Sequence, residues 1–186
     1  AAKEASKQVL YAVTFVSLFV SVLVLPFVSQ IINWIYPDLD TAVFEYSKDY
    51  FFIIVIGYVP ASIGIACSSL LRAQGKSRTA FFHGTIVNML NVVGNAFFIS
   101  VCDMEVAGAA LSTTLIRFLC GVLGILFLKN KSLEVPLEKL LHYRPDFSLL
   151  KKIFLIGGTN GIETSLFYVG KLVLSSLIAS FGTIAT

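Results

Sequence analysis

Residues 149–181 read LLKKIFLIGGTNGIETSLFYVGKLVLSSLIASF. The run is long and apolar enough to cross a bilayer, whose hydrocarbon core takes about 20 helical residues, yet it places Glu163 near its middle. An acidic residue at the bilayer centre costs about 2.5 to 3.5 kcal/mol on insertion scales. A group under that cost can alternate between protonated and ionised forms, or between holding and releasing a sodium ion. The functional reading of Glu163 is a cation-coupling site, and the structural alternative is a neutral acid hydrogen-bonded to a neighbouring helix. Helical spacing puts Thr159 and Asn160 on the face of Glu163 one turn earlier, with Phe167 and Gly170 one and two turns later. Gly157, Gly158 and Gly161 crowd the same half. A glycine-interrupted span points to a transporter's substrate or ion site, although close helix packing uses glycine too.

Outward from this stretch the rest of the chain is similarly apolar. Hydrophobic residues make up 56% of the 186 residues and charged ones 13%, and the mean hydropathy is +0.85. That exceeds what a soluble domain buries, so the chain is read as an all-α polytopic membrane protein with the lipid bilayer as its solvent. About five spans fit: about 9–32, 50–71, 79–101 and 106–128, and a fifth within 149–181. Pro26 is expected to kink the first, which ends in the interfacial aromatics Trp34 and Tyr36. Pro60, flanked by Gly57 and Gly64, bends the second; an acidic loop with Asp38, Asp40, Glu45 and Asp49 precedes it. The absence of an initiator Met and of a signal peptide makes an internal fragment of a longer chain the expectation.

Alternate loops differ in Lys and Arg. Residues 1–8 hold two, 72–78 three and 129–152 six, against one in 33–49 and none in 102–105. The basic loops are therefore predicted to be cytoplasmic, and the net charge of +3 reports topology rather than nucleic-acid binding. The polar connection over 131–148, with Pro136 and Pro145, is the most natural boundary: residues 1–130 form one group of spans and 149–186 begin another.

Polar residues inside the spans form the other constellations. Gly84, Asn88, Asn91 and Asn95 project within about 60° of one another on the third span. Such a row lines a solute pathway or joins helices through amide hydrogen bonds worth about 0.6 to 2 kcal/mol each. Ala109 and Thr113 make a small-residue row on the fourth span, where Arg117 must face protein, water or a carboxylate. Lys171 lies roughly 12 Å beyond Glu163 along the helix, too far to pair directly, and is expected to snorkel outward. Gly75-Lys76-Ser77 ends like a phosphate loop, but position 70 is Leu rather than Gly, which excludes nucleotide binding. Cys67, Cys102 and Cys120 form no CxxC pair, and His83 and His142 belong to no HExxH or other hydrolytic motif. No metal site, cofactor or enzymatic activity is expected.

With these residues in view, nearly the whole chain resembles the multidrug and toxic compound extrusion (MATE) transporters, over about their third to seventh helices. Leu71-Arg72-Ala73-Gln74-Gly75 is similar to the family's basic turn after helix four, and Asn91 to Ile99 to its Asn-rich helix five. Val106-Ala107-Gly108-Ala109-Ala110, Ser112-Thr113-Thr114 and Arg117 resemble the opening of helix six. Arg144-Pro145-Asp146-Phe147, Gly157 to Glu163, Gly170-Lys171-Leu172 and Phe181-Gly182-Thr183 resemble helix seven, except that Thr159 stands where the family commonly has Pro.

The resemblance implies twelve helices in two lobes in the cell (plasma or inner) membrane. Residues 1–130 would be the latter part of the N-terminal lobe, 131–148 the cytoplasmic inter-lobe connection and 149–186 the first helix of the C-terminal lobe. It implies export of bulky, often cationic small molecules in exchange for inward sodium ions or protons, with the remaining helices of the transporter as partners. Glu163 would carry the coupling ion, and Asn88, Asn91, Asn95, Thr159, Asn160 and Arg117 are candidates for the cavity or polar pathway. The alternatives are a flippase for lipid-linked oligosaccharides, which would want several cationic cavity residues, and a non-transporting membrane scaffold.

Overall fold

The computed structural model describes residues 2–37, 40–102, 105–130, 133, 135 and 146–180. Every regular element among them is helical: α1 (Ala2–Val24), a 3-10 turn (Leu25–Phe27), α2 (Val28–Ile35), α3 (Thr41–Ile56), α4 (Tyr58–Ala73), α5 (Ser77–Ser100), α6 (Glu105–Leu128) and α7 (Phe147–Ser180). Three segments, Lys3–Ile35, Ser77–Ser100 and Gly108–Leu128, are long and apolar enough to cross a membrane, and Val43–Ile56 with Tyr58–Ala73 forms a fourth, bent by 47°. With α7, which runs for 34 residues, these are the long elements that the all-α reading predicts.

The breaks have covalent causes. Pro26 lies inside the 3-10 turn that separates α1 from α2, because its ring displaces the carbonyl one turn earlier and it has no N–H to donate. The bend in the second span falls at Gly57 rather than at Pro60. Pro60 occupies the first turn of α4, where a missing N–H costs nothing, and its ring excludes a regular continuation past the Ile56 carbonyl. The acidic loop expected up to Asp49 is a correction: α3 begins at Thr41, so Glu45 and Asp49 are helical, and Glu45 pairs with Lys48 at 3.2 Å on an exposed face. Charge there does not mark the end of the helix. Asp38 and most of 131–145, with Pro136, Pro145 and His142, lie outside the described residues.

Gly75, at φ +73°, explains the residues that resemble a phosphate loop. Gly75 N–H donates to the Arg72 carbonyl at 3.0 Å and Lys76 N–H to the Leu71 carbonyl at 2.9 Å. This pair of bonds closes a helix C-terminus around a left-handed residue, and α5 then starts at Ser77.

Packing is organised by α6, which contacts α3, α4 and α5, while α1 packs on α4. Glycines let α4 and α6 approach closely: a Cβ on Gly64 would meet Cys120 Sγ at 2.4 Å, and one on Gly124 would meet Cys67 Cβ at 2.7 Å. A Cβ on Gly121 would meet the Pro60 carbonyl oxygen at 2.9 Å. At one end of the bundle Leu10, Cys67, Leu71, Leu128 and Leu133 form an apolar cluster. Elsewhere the buried set includes Gln8, Ser17, Ser21, His83 and Ser112, whereas Phe15, Phe19, Val22, Phe81, Val92 and Phe118 are exposed. Small and polar residues inside with large apolar ones outside is the arrangement a bilayer favours.

Two glycines on this framework should respond oppositely to a methyl group. Gly64→Ala forces Cys120 aside and should cost about 1 to 3 kcal/mol, whereas Gly84, with nothing within 4 Å of its would-be Cβ, should gain about 0.5 to 1 kcal/mol on conversion to Ala. Thermal unfolding midpoints of the two variants in detergent check this contrast.

Candidate functional site

The residues singled out in the sequence fall into two neighbourhoods. The first is α7. Asp146 starts it: one carboxylate oxygen accepts from the Ser148 N–H at 2.9 Å and the Leu149 N–H at 3.3 Å, satisfying two of the donors that a helix N-terminus leaves free. The helix then runs unbroken past Gly157, Gly158 and Gly161 to Ser180, so these glycines do not interrupt it. Thr159, where the resemblance expects Pro, donates its hydroxyl to the Leu155 carbonyl at 3.0 Å. Thr159 thus bonds to its own helix, and unlike Pro it keeps its backbone N–H.

Thr159, Asn160 and Glu163 are all exposed, and no other atom lies within 4 Å of a Cβ built on any of those three glycines. The Glu163 carboxylate makes no hydrogen bond or ion pair among the described residues. Lys171 turns back over the Phe167 ring, 4.8 Å from its centroid, and lies 5.8 Å from that of Tyr168. It is thus engaged as a cation over aromatic faces and leaves Glu163 alone. At its far end α7 meets α2: the Tyr36 and Ser175 hydroxyls are 3.1 Å apart, and Ser176 donates to the Ile35 carbonyl at 2.9 Å. Beside this junction Trp34, Val169, Leu172, Val173 and Leu177 line an apolar cleft of about 340 Å³.

The second neighbourhood lies between α5 and α6. Asn95 donates to the Asn91 side-chain oxygen at 3.3 Å, and Asn91 donates to the Thr113 hydroxyl at 3.4 Å. Two of the three asparagines therefore face α6, and Asn88 is exposed. Gly94 allows the close approach, since a Cβ there would meet the Ser112 hydroxyl at 2.5 Å. The Asn95 carbonyl oxygen and the Ser112 hydroxyl are buried without a partner, which leaves acceptor capacity inside the bundle. In the sequence Thr113 stands out with Ala109 as a small-residue packing row, whereas Ser112 is marked only within the Ser112-Thr113-Thr114 run that resembles helix six.

Arg117 has a backbone partner rather than a carboxylate: it donates to the Ile54 carbonyl at 3.4 Å. Beside it Thr114 donates to the Ile53 carbonyl at 3.1 Å, and from α1 Ser21 donates to the Val55 carbonyl at 3.3 Å. His83, unassigned from sequence, is 1% exposed. One ring nitrogen lies 2.8 Å from the Ser68 hydroxyl and the other 3.0 Å from the Cys120 carbonyl. A carbonyl accepts only, so Nε2 carries the proton and Nδ1 accepts from Ser68 in the neutral ring. His83 thereby ties α4, α5 and α6 together. No described hydrogen bond or ion pair joins the α7 neighbourhood to the α5–α6 one, and no group of His, Cys, Asp and Glu among the described residues could hold a metal ion.

Known proteins share this architecture. A probable multidrug resistance protein, NorM, of Thermotoga maritima is 28% identical over 97% of this chain, which covers 40% of that protein. The multidrug export protein MepA of Staphylococcus haemolyticus is 24% identical over 95% of this chain, which covers 38% of it. The chain thus spans about two fifths of the length of these relatives. Among solved structures, an inward-facing conformation of a multidrug resistance MATE family transporter of the MOP superfamily superposes with a TM-score of 0.68 over 84% of this chain and 40% of its own, at 18% identity. At that identity the likeness shows the fold. Residues 1–97, the helices α1 to α4 and most of α5, match the MatE family model. With that match added to the shared helical architecture, the chain belongs to the MatE family, a family of multi-pass membrane transporters.

Proposed function

We propose that this chain is part of a secondary antiporter that exports bulky, often cationic compounds by alternating access, with Glu163 as the site where the coupling cation, a proton or a sodium ion, is held and released. The observation that carries the reading is the isolation of Glu163. It is an acid in an apolar helix, with polar neighbours on its own face and no ion pair among the described residues. MatE membership supports transport, and the names of the relatives support drug efflux. Asn91 and Asn95, with the unpartnered oxygens beside them, suit a polar pathway on the α5–α6 side. Arg117, engaged by α3, is not available as one of the several cavity cations that a phosphate-bearing lipid substrate would want.

Glu163→Gln in the intact transporter removes the titratable charge and keeps size and hydrogen bonding. Efflux should fall by about tenfold or more, a loss of about 1.4 kcal/mol or more, with membrane insertion unchanged, and Glu163→Asp should keep part of the activity. Wild-type efflux by the Gln variant at equal expression, with unchanged dependence on pH and sodium, would remove the coupling role.

The distribution of Lys and Arg sets the orientation of this mechanism. A cysteine at Asp40 should react with a membrane-impermeant thiol reagent in intact cells, and one at Lys76 only after permeabilisation. Labelling at Lys76 from outside would reverse the assigned direction of transport.

A further inference from the structure

The second span is bent by 47° between α3 and α4, and the successive carbonyls of Ile53, Ile54 and Val55 at the end of α3 each receive a side-chain donor, Thr114, Arg117 and Ser21 respectively, that of Ile53 in addition to the Gly57 N–H at 3.2 Å. A helix C-terminus carries the negative end of the peptide dipoles. Within a membrane such an end is the kind of place where transporters bind a cation. Here the chain supplies its own. The guanidinium cannot lose its proton, its stem is half-buried between α6 and α3, and Thr113, one helical turn earlier on the same face of α6, is the residue that receives Asn91.

We infer that Arg117 is a positioning residue: a tethered cation on the carbonyl end of α3 that, with Thr114, locks the 47° elbow of the second span onto α6 beside the asparagine row. The close approach of the parts agrees with this role, since a Cβ on Gly57 would meet the Thr114 hydroxyl oxygen at 3.0 Å. The elbow is thus a fixed corner whose rigidity depends on charge as well as on packing. The inference rests on the antiporter reading only in so far as the asparagine row is used in transport.

Amide hydrogen exchange across residues 53–62 tests this in the intact transporter, comparing wild type with Arg117→Lys and Arg117→Gln. Gln keeps a donor but loses the charge. It should accelerate exchange in that segment by roughly tenfold, the scale of a lost charge-assisted hydrogen bond, while Lys stays within about twofold of wild type. Equal protection in the Gln variant and wild type would overturn the inference, as would Lys exchanging as fast as Gln. Should the Gln variant fail to fold, Thr114→Val and Ser21→Ala each remove one donor at little change of volume. Each should speed exchange in the same segment by about two- to fivefold, and unchanged exchange in both would equally overturn it. Because exchange is read without transport, a failed antiporter assignment would leave this result standing.

Discussion

In lipid no water is present to satisfy a backbone carbonyl, so a helix that breaks within the bilayer must find donors in its neighbours. That requirement shapes this molecule at the Ile56–Tyr58 junction. Pro60 and Gly57 break the helix, and the carbonyl end of α3 then takes Arg117 from α6 on Ile54 and Ser21 from α1 on Val55, with Thr114 adding a second donor to the Ile53 carbonyl that already accepts the Gly57 N–H. Those donors are polar residues in apolar helices, each unfavourable alone against lipid and each satisfied by the same break. One defect in a helix thereby fixes the relative positions of α1, α3 and α6, and the asparagine row of α5 is registered on the residue next to Thr114.

Much of this was legible in the sequence. The length of the apolar runs locates α5 and α6 to within about two residues, and Pro26 marks the first break. The second break was placed a turn late because Pro acts on the carbonyl four residues before it, so the chain yields on its N-terminal side. Charge misled at Glu45 and Asp49: helices continue into water, and acidic residues tell only where lipid ends. The partner of Arg117 could not be read, since nothing in a side-chain pattern reveals a main-chain acceptor 63 positions away. His83 was missed for the same reason; its partners, Ser68 and the Cys120 carbonyl, carry no signature at fixed spacing.

The two polar neighbourhoods represent different uses of polarity in a membrane. Between α5 and α6 most hydrogen-bonding capacity is spent on neighbouring side chains, and only the oxygens of Asn95 and Ser112 remain over. Along α7, Thr159 bonds back to its own helix, Ser175 and Ser176 are engaged at the junction with α2, and Lys171 lies over aromatic rings, while Glu163 is exposed with no bond among the described residues. The first pattern ties two helices together, and the second leaves a carboxylate without a partner among the described residues.

The glycine contacts between α4 and α6 bear on mechanics as well as on stability. Gly64 receives Cys120 and Gly124 receives Cys67, so each helix inserts a side chain into a notch of the other at two separated heights. Parallel rods keyed in this way at two points can neither slide along one another nor roll without driving sulfur into main chain. They translate and rotate as a single stiff beam, and any large displacement is relegated to the periphery, to the joint that α1 makes with that beam and to the one that α7 makes with α1.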